Sequence, residues 1–314
     1  MSGTKVSSMA SDDARAASFT MPRGACDCHT HVFGPASEYP YWEGRGYTPP
    51  DASVDELGAL HRSLGVERVV IVHPSPYGTD NRVSIDAAGR IGLERARVVA
   101  VIDPATIGDA ELAAMAERGV VGVRLNLSSG GVSDAGQARE MLKRAAGRVA
   151  RLGWHVQIFT TLAIIDSLAR DIEALGVPVV ADHFGGAKAA AGLNQPGFQT
   201  LSGLVSSGRM WVKLSAGYRV ASKADWRDVD PLARTLLAAN RDRCVWGTDW
   251  PHPGERPPGT PPGAFVPAQD IDDAMALNAL WRWCGEDAGL FRRVLTDNPA
   301  RLYNFQADLK SERA

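Results

Sequence analysis

His29 and His31 stand two apart behind Asp27 in the stretch DCHTHVFGP, residues 27–35. Residues i and i+2 of a strand point to one face. At a strand end, both imidazoles then aim at one small volume, which suits a metal ion or a charged reaction centre. A lone His-x-His is common by chance, so the rest of the chain has to decide. Of the seven histidines, four (His29, His31, His73 and His183) close short apolar runs. Arg124 and Asn126 end another run, and Gln157 lies in the next. Asp182 precedes His183, Lys213 and Ser215 share a later run, and Asp249 ends the last. If the runs converge, imidazole and carboxylate meet at one place. There they can activate water and polarise a carbonyl, directly or through a metal.

Plainer roles exist for several of these residues. A strand cap explains His73 as well as chemistry does. His155 opens its run and reads as structural, and His61, in mid-helix, reads as a surface residue. Asp27 and Asp182 read as groups that orient a histidine or bind backbone. For His29, His31, His183 and Asp249 together, placement at strand ends argues for a shared site.

The elements that must position them are eight β-branched runs, at 24–31, 67–73, 97–103, 120–126, 154–159, 177–183, 210–216 and 243–249. Continuous Val and Ile, rather than strict alternation, indicates strands buried on both faces, as in a parallel sheet. Helical patterns at 53–65, 109–119, 138–153 and 164–176 lie between them, each ending on a glycine. Ser53 is the expected N-cap of the first and Asp109 the start of the second. Strand and helix repeated eightfold predict an α/β chain folded as a (β/α)8 TIM barrel. The competing doubly wound sheet would show a glycine-rich turn after its first strand, and HTHVFGP is not one. Two long loops, 34–51 and 251–267, follow strands and so belong at the C-terminal mouth; the second holds seven of the 19 prolines and reads as a stiff partial lid. Asn298 with Pro299 reads as a helix N-cap followed by proline in the first turn.

The chain has 314 residues, 45% apolar and 22% charged, with a net charge of −2. That balance gives no reason to expect nucleic acid or an anionic membrane as partner. No apolar stretch approaches the ~18 residues of a membrane span, and no secretory signal is expected in the first 20 residues. Residues 1–21 are expected to form a flexible tail, 22–306 the barrel and 307–314 a C-terminal tail. Cys26, Cys28, Cys244 and Cys284 read as reduced thiols of a cytoplasmic protein. Nothing in the sequence bears on oligomeric state.

Substrate anions need donors. Arg124 and Arg219 are the expected guanidinium forks for a carboxylate or sulfonate. Tyr47, Ser75, Tyr77, Asn126 and Gln157 are expected to supplement them. His252 either reaches the mouth to assist proton transfer or packs the proline loop.

HVFGP, YTPPDA, GTDN, GVRLN, DHFGG, WGTDWPHP and NPARLY occur in that order. With His-x-His on the first strand, His on the sixth and Asp on the eighth, the chain resembles the amidohydrolase superfamily over residues 22–305. More narrowly it resembles the branch that includes 2-pyrone-4,6-dicarboxylate hydrolases, 4-sulfomuconolactone hydrolases and sugar lactonases. The resemblance implies opening of a small anionic lactone by water activated by Asp249, in aromatic catabolism. A metal-dependent decarboxylase or a lactone isomerase on the same scaffold is the alternative. It also implies that His29, His31, His183 and Asp249 either hold one divalent ion, such as Zn²⁺, or act without metal. No Lys or Glu stands at the bridging position of the fourth strand, and Gln157 replaces a histidine of binuclear relatives, so a second metal is not expected. The pyrone-dicarboxylate pattern has a basic pair after the fourth strand, where this chain has LSSGG (127–131), and a tyrosine in place of Gln157. Those departures favour a lactone with one strong anion, or a more hydroxylated one.

Overall fold

The computed structural model describes residues 19–128 and 130–306, so the expected tails fall almost wholly outside the described residues. The strands are β1 Cys26–Thr30, β2 Arg68–Val72, β3 Ala96–Ala100, β4 Val120–Asn126, β5 His155–Phe159, β6 Val179–Ala181, β7 Met210–Ser215 and β8 Cys244–Gly247. They pair in chain order, each parallel to the next. Just past β8 the ring closes. Asp249 N–H donates to the His29 carbonyl at 2.8 Å, and His31 N–H donates to the Trp250 carbonyl at 2.8 Å. The expected (β/α)8 barrel is therefore what the chain forms, and the closure itself runs through the residues flanking the first and last strand ends.

Alternation along the strands divides the core. Val69, Ile71, Val98, Val123, Val156, Val179, Val212 and Trp246 face outward onto the helices. Cys26, Cys28, Val70, Val72, Val180, Trp211 and Val245 belong to a smaller cluster with Tyr303 and Phe305, which fills the barrel interior. Lys213, two residues beyond Trp211, shares this inward face and is fully buried.

The helices that follow the first six strands are α1 Val54–Leu64, α2 Arg82–Ile91, α3 Asp109–Glu117, α4 Ala135–Val149, α5 Leu162–Ala174 and α6 Phe198–Ser206. Ser53 caps α1 in a reciprocal box with Glu56, and Gly65 ends it at φ 72°. Some local expectations change. Gly108 caps α3, with Asp109 inside the first turn, and α5 ends on extended Leu175 rather than on a glycine. His61 is buried, because α1 lies over β1 and brings its ring to 3.3 Å from Asp27. Asn298 is no cap: its amide donates to the carbonyls of Arg241 (2.8 Å) and Cys244 (2.6 Å), tying the last turns to the start of β8.

The two long loops meet over the mouth. Thr48 N–H donates to the Ala264 carbonyl (2.8 Å), Val266 N–H to the Thr48 carbonyl (2.9 Å), and the Thr48 hydroxyl to the Gly263 carbonyl (2.7 Å). Among the described residues, no helix is long and apolar enough to cross a membrane.

Candidate active site

β1, β6 and β8 end together at the mouth. His31 and His29 come from the end of β1, His183 from just beyond β6 and Asp249 from just beyond β8. His183 (φ 47°) and Asp249 (φ 66°) both take left-handed backbone, a conformation that costs free energy and clusters where a side chain must be aimed. The Nε2 atoms of His31, His29 and His183 lie 3.3, 3.5 and 3.8 Å from one oxygen, Asp249 Oδ1. The other oxygen, Oδ2, accepts from the Tyr218 hydroxyl at 2.6 Å and from Arg219 Nε at 3.0 Å. The carboxylate thus has one oxygen saturated and one turned to the imidazoles.

The far side of each ring is held as well. His31 Nδ1 lies 2.8 Å from the Val72 carbonyl. A carbonyl only accepts, so His31 Nδ1 carries a proton. His183 Nδ1 is 2.8 Å from the Ser215 hydroxyl. His29 Nδ1 is flanked by Asp182 Oδ1 at 3.2 Å and Lys213 Nζ at 3.4 Å.

Beneath the mouth runs a buried network. Asp182 Oδ2 accepts from Arg124 Nε (2.9 Å) and Gln157 Nε2 (3.1 Å). Lys213 Nζ donates to Gln157 Oε1 (2.7 Å) and the Cys28 carbonyl (2.8 Å). Burial pushes Lys213 down to about 8, against the pull of Asp182. Burial also opposes ionisation of Asp182, but His29, Arg124 and Lys213 outweigh it and hold the carboxyl well below its usual range. Asp249 is the same case: burial raises it, and His183, Arg219 and the His31 contact bring it well below. Burial drives His29 well below its ordinary value and His183 to about 4, so both rings are neutral near pH 7.

Three imidazoles, two of them held neutral, around an ionised carboxylate oxygen are a metal-type donor set. Four donors bound at ~2.0–2.1 Å in a tetrahedron stand about 3.4 Å apart, which the spacings about Asp249 Oδ1 approach. Among the described residues, His29 Nε2 is buried without a hydrogen-bond partner, as an atom reserved for a ligand would be. His29, His31 and Asp249 form one compact donor group, and His29, Asp182 and His183 a second that shares His29. The residues fit a divalent ion.

The remaining expected residues divide. The terminal amino groups of Arg124 make no hydrogen bond to the described protein, and its guanidinium lies 5.1 Å over the Phe159 ring. Among the described residues, Asn126 Oδ1 has no hydrogen-bond partner. Tyr47 is half-buried; desolvation raises its pKa and keeps the hydroxyl protonated, and it senses Arg219, Asp249 and Arg124. Ser75 is half-buried on a single turn after β2. Gln157 is fully buried with both amide ends engaged. The Tyr77 hydroxyl accepts from Gly34 N–H (2.8 Å) and anchors the first loop. His252 turns to Asp273 (3.2 Å) and stands edge-on to Tyr218, with ring centroids 5.7 Å apart. Arg219 is turned to Asp249 and, through Nη2, to the Pro253 carbonyl at 2.6 Å. A cavity of about 620 Å³ opens beside Tyr218 and Arg219, walled by Lys188, Glu255 and Phe265.

Sequence reasoning passed over Tyr218 and gave Lys213 and Ser215 no site role, while Asp182, read as a group that orients a histidine or binds backbone, lies 3.2 Å from His29 Nδ1. A lysine in the middle of the buried run MWVKLSA was the signal for one of them. Tyr218 carried none beyond standing next to Arg219.

The fold and the site together define a class: a parallel eightfold barrel with a His–Asp cluster gathered at the strand C-termini, where such barrels keep their active sites. The chain belongs to the amidohydrolase family, whose model matches residues 26–305. It is 37% identical over 288 residues to a 4-sulfomuconolactone hydrolase of Rhizobium radiobacter, covering 91% of this chain and 92% of that one. It is 36% identical over 295 residues to a 2-pyrone-4,6-dicarboxylate hydrolase of Comamonas testosteroni, covering 91% and 92%. A solved Pseudomonas putida structure, assigned as a candidate 2-pyrone-4,6-dicarboxylic acid hydrolase, superposes with a TM-score of 0.75 at 30% identity, covering 92% of this chain and all of that one.

Proposed function

We propose that this chain is a lactone hydrolase that opens the ring of a small anionic lactone, of the 4-sulfomuconolactone or pyrone-dicarboxylate kind, with Asp249 as general base. The observation that carries the reading is the division of labour at Asp249. Tyr218 and Arg219 fix Oδ2, so Oδ1 alone faces the imidazoles and the mouth. Asp249 stays ionised across the neutral range, and His183, neutral above about pH 4, leaves it as the proton acceptor. A water held between Oδ1 and the imidazoles gives its proton to Oδ1 as its oxygen bonds to the lactone carbonyl carbon. The ring C–O bond then breaks, and the leaving oxygen takes a proton back, giving a carboxylate and a hydroxyl or enol.

His29, His31, His183 and Asp249 are the proposed holders of one divalent ion, zinc in the first instance. When bound, such an ion supplies charge that polarises the carbonyl and acidifies the attacking water. Arg124 offers its free amino groups to the substrate's anion, with Asn126 and the Tyr47 hydroxyl beside it. Ser75 lines the approach from the β2 side. Gln157 acts through Asp182 and Lys213 rather than on substrate, and His252 supports Tyr218. One guanidinium edge, that of Arg124, and no basic pair after β4 favour a substrate with one strong anion. Four buried thiols, none in a disulfide, support a reducing cytoplasmic setting.

The test is turnover of a panel of 4-sulfomuconolactone, pyrone dicarboxylate, muconolactone and aldonolactones, with products weighed by mass spectrometry. Hydrolysis adds the mass of one water. A product of unchanged mass would make the chain an isomerase, and loss of carbon dioxide a decarboxylase.

A further inference from the structure

The seam where the barrel closes is spanned by a side chain. Among the described residues no ladder joins β8 to β1, whose ends meet in the isolated bridge of Thr30 to Trp250. Asp27, fully buried in β1, crosses the gap. Its Oδ1 accepts from the backbone N–H of His29 (3.1 Å) and from that of Thr248 (3.0 Å), one on each side of the seam. Its Oδ2 accepts from the Thr248 hydroxyl at 2.6 Å and lies 3.3 Å from His61 Nε2 on α1. The Thr248 hydroxyl in turn accepts from Trp250 N–H at 3.0 Å. The turn Thr248–Asp249–Trp250 is therefore gripped on both sides of Asp249, whose backbone is left-handed at φ 66°. A conformation of that kind persists only where the surroundings over-determine it. Gly247 leaves room for the carboxylate: a Cβ there would stand 3.1 Å from Asp27 Oδ1.

We infer that Asp27 is a positioning residue that fixes His29 and Asp249 relative to each other, and that its acceptor oxygen, not its charge, does this. His29 and Asp249 come from opposite ends of the barrel sequence and share one direct backbone bond, Asp249 N–H to the His29 carbonyl at 2.8 Å. Asp27 supplies the second tie. The N–H of His29 and the N–H of the residue before Asp249 end on one carboxylate oxygen. The two backbones are thus locked together, while Asp182 and Tyr218 hold the two side chains. A reacting group displaced by about 1 Å can lose about a hundredfold in rate, so slack at the seam reaches the chemistry directly. Both N–H groups are buried, which makes an acceptor obligatory. An asparagine amide keeps one acceptor oxygen for them, and its NH2 can donate to Thr248 Oγ1.

The inference rests on the reading of the His–Asp cluster as the reaction centre, and one of its two readouts needs no lactone. Amide hydrogen exchange is measured on full-length wild type, Asp27→Ala and Asp27→Asn. The reference is the Val98 amide, which bonds to the Gly119 carbonyl (2.9 Å) away from the seam. In Asp27→Ala, exchange at Asp249 is expected to quicken at least tenfold more than exchange at Val98, as local opening requires. On the panel's best lactone, kcat of Asp27→Ala is expected to fall about thirtyfold or more with KM within about threefold. Asp27→Asn, which keeps the acceptor, is expected to bring both readouts back to within about fivefold of wild type. A residue that merely held the fold together would quicken exchange at Val98 and Asp249 alike and leave kcat of the folded molecules unchanged. Wild-type kcat in a folded Asp27→Ala, equal quickening at the two amides, or an Asp27→Asn no better than Asp27→Ala overturns the inference. If Asp27→Ala does not fold, Thr248→Val, without the hydroxyl, is compared with Thr248→Ser, which keeps it. Thr248→Val is expected to lose about fivefold or more in kcat and to loosen the Asp249 amide, and Thr248→Ser to do neither; equal behaviour overturns the inference. Local opening at the seam with no lactone turned over by any form would leave the positioning of the two groups standing and defeat the hydrolase reading.

Discussion

Arg219 lies 3.0 Å from Asp249 Oδ2 and is locked from behind by the Pro253 carbonyl at 2.6 Å. One of the two guanidinium groups expected to receive the substrate's anion is thus turned to Asp249 and to the proline loop. Its binding to Asp249 also raises its own pKa, since that ion pair outweighs the cost of burial.

The relationship predicts which kinetic constant responds. Arg219→Met removes a charge-assisted bond to the base, and such bonds contribute about 1.5–3 kcal/mol. Turnover is expected to fall tenfold to a hundredfold with KM little changed. Steady-state kinetics on the lactone identified in the panel checks this. A raised KM at constant kcat would make Arg219 a substrate ligand instead.

Arg124 should behave in the opposite way. Its Nε is held by Asp182, and its terminal amino groups make no hydrogen bond among the described residues. Lysine keeps the charge but loses the planar fork. Arg124→Lys is expected to raise KM about tenfold or more, with a smaller change in kcat. The effect should vanish on a neutral lactone of the same ring size.

Acid sensitivity should come partly from a histidine remote from the mouth. His155 packs edge-on to Tyr303 inside the barrel, and burial, with the Lys213 charge adding, pushes it down to about 3. An unfolded imidazole titrates near ~6.5. Between those values the unfolded chain takes up a proton that the folded chain refuses. The stability present above about pH 6.5 is therefore lost as pH falls toward 3, by up to about 1.4 kcal/mol per pH unit. Urea unfolding of His155→Gln across this window is expected to show a shallower pH slope than wild type. Parallel slopes would contradict the assignment.

Much of this arrangement was legible in the sequence, for identifiable reasons. Strands buried on both faces leave continuous apolar runs, so all eight could be read, and their polar ends named His29, His31, His183 and Asp249. Capping chemistry is local, so α1 could be bounded at Ser53 and Gly65. Side-chain direction is not local. Tyr218 reaches Asp249 because Ala216 takes left-handed backbone (φ 51°) and turns a one-turn helix, Gly217–Val220, over the mouth. Asn298 bonds to the start of β8, and His61 meets Asp27, only once the barrel has closed.

Closure itself can be tested at Gly247. A Cβ there would stand 2.6 Å from the His29 nitrogen and 2.8 Å from its Cβ. Gly247→Ala must push β1 from β8, at about 1–3 kcal/mol as for other overpacked sites. It moves His29 in the process. A lowered denaturation midpoint together with a hundredfold loss of kcat is expected. Full activity in a destabilised variant would show that His29 tolerates the shift.

The most direct measurement is hydrolysis of the panel's best lactone by wild type and Asp249→Asn, with circular dichroism confirming that both are folded. The account predicts a fall in kcat of about a thousandfold, within the range that a positioned general base contributes. A variant that opens the lactone at the wild-type rate would contradict it, and the base would have to be sought elsewhere in the mouth.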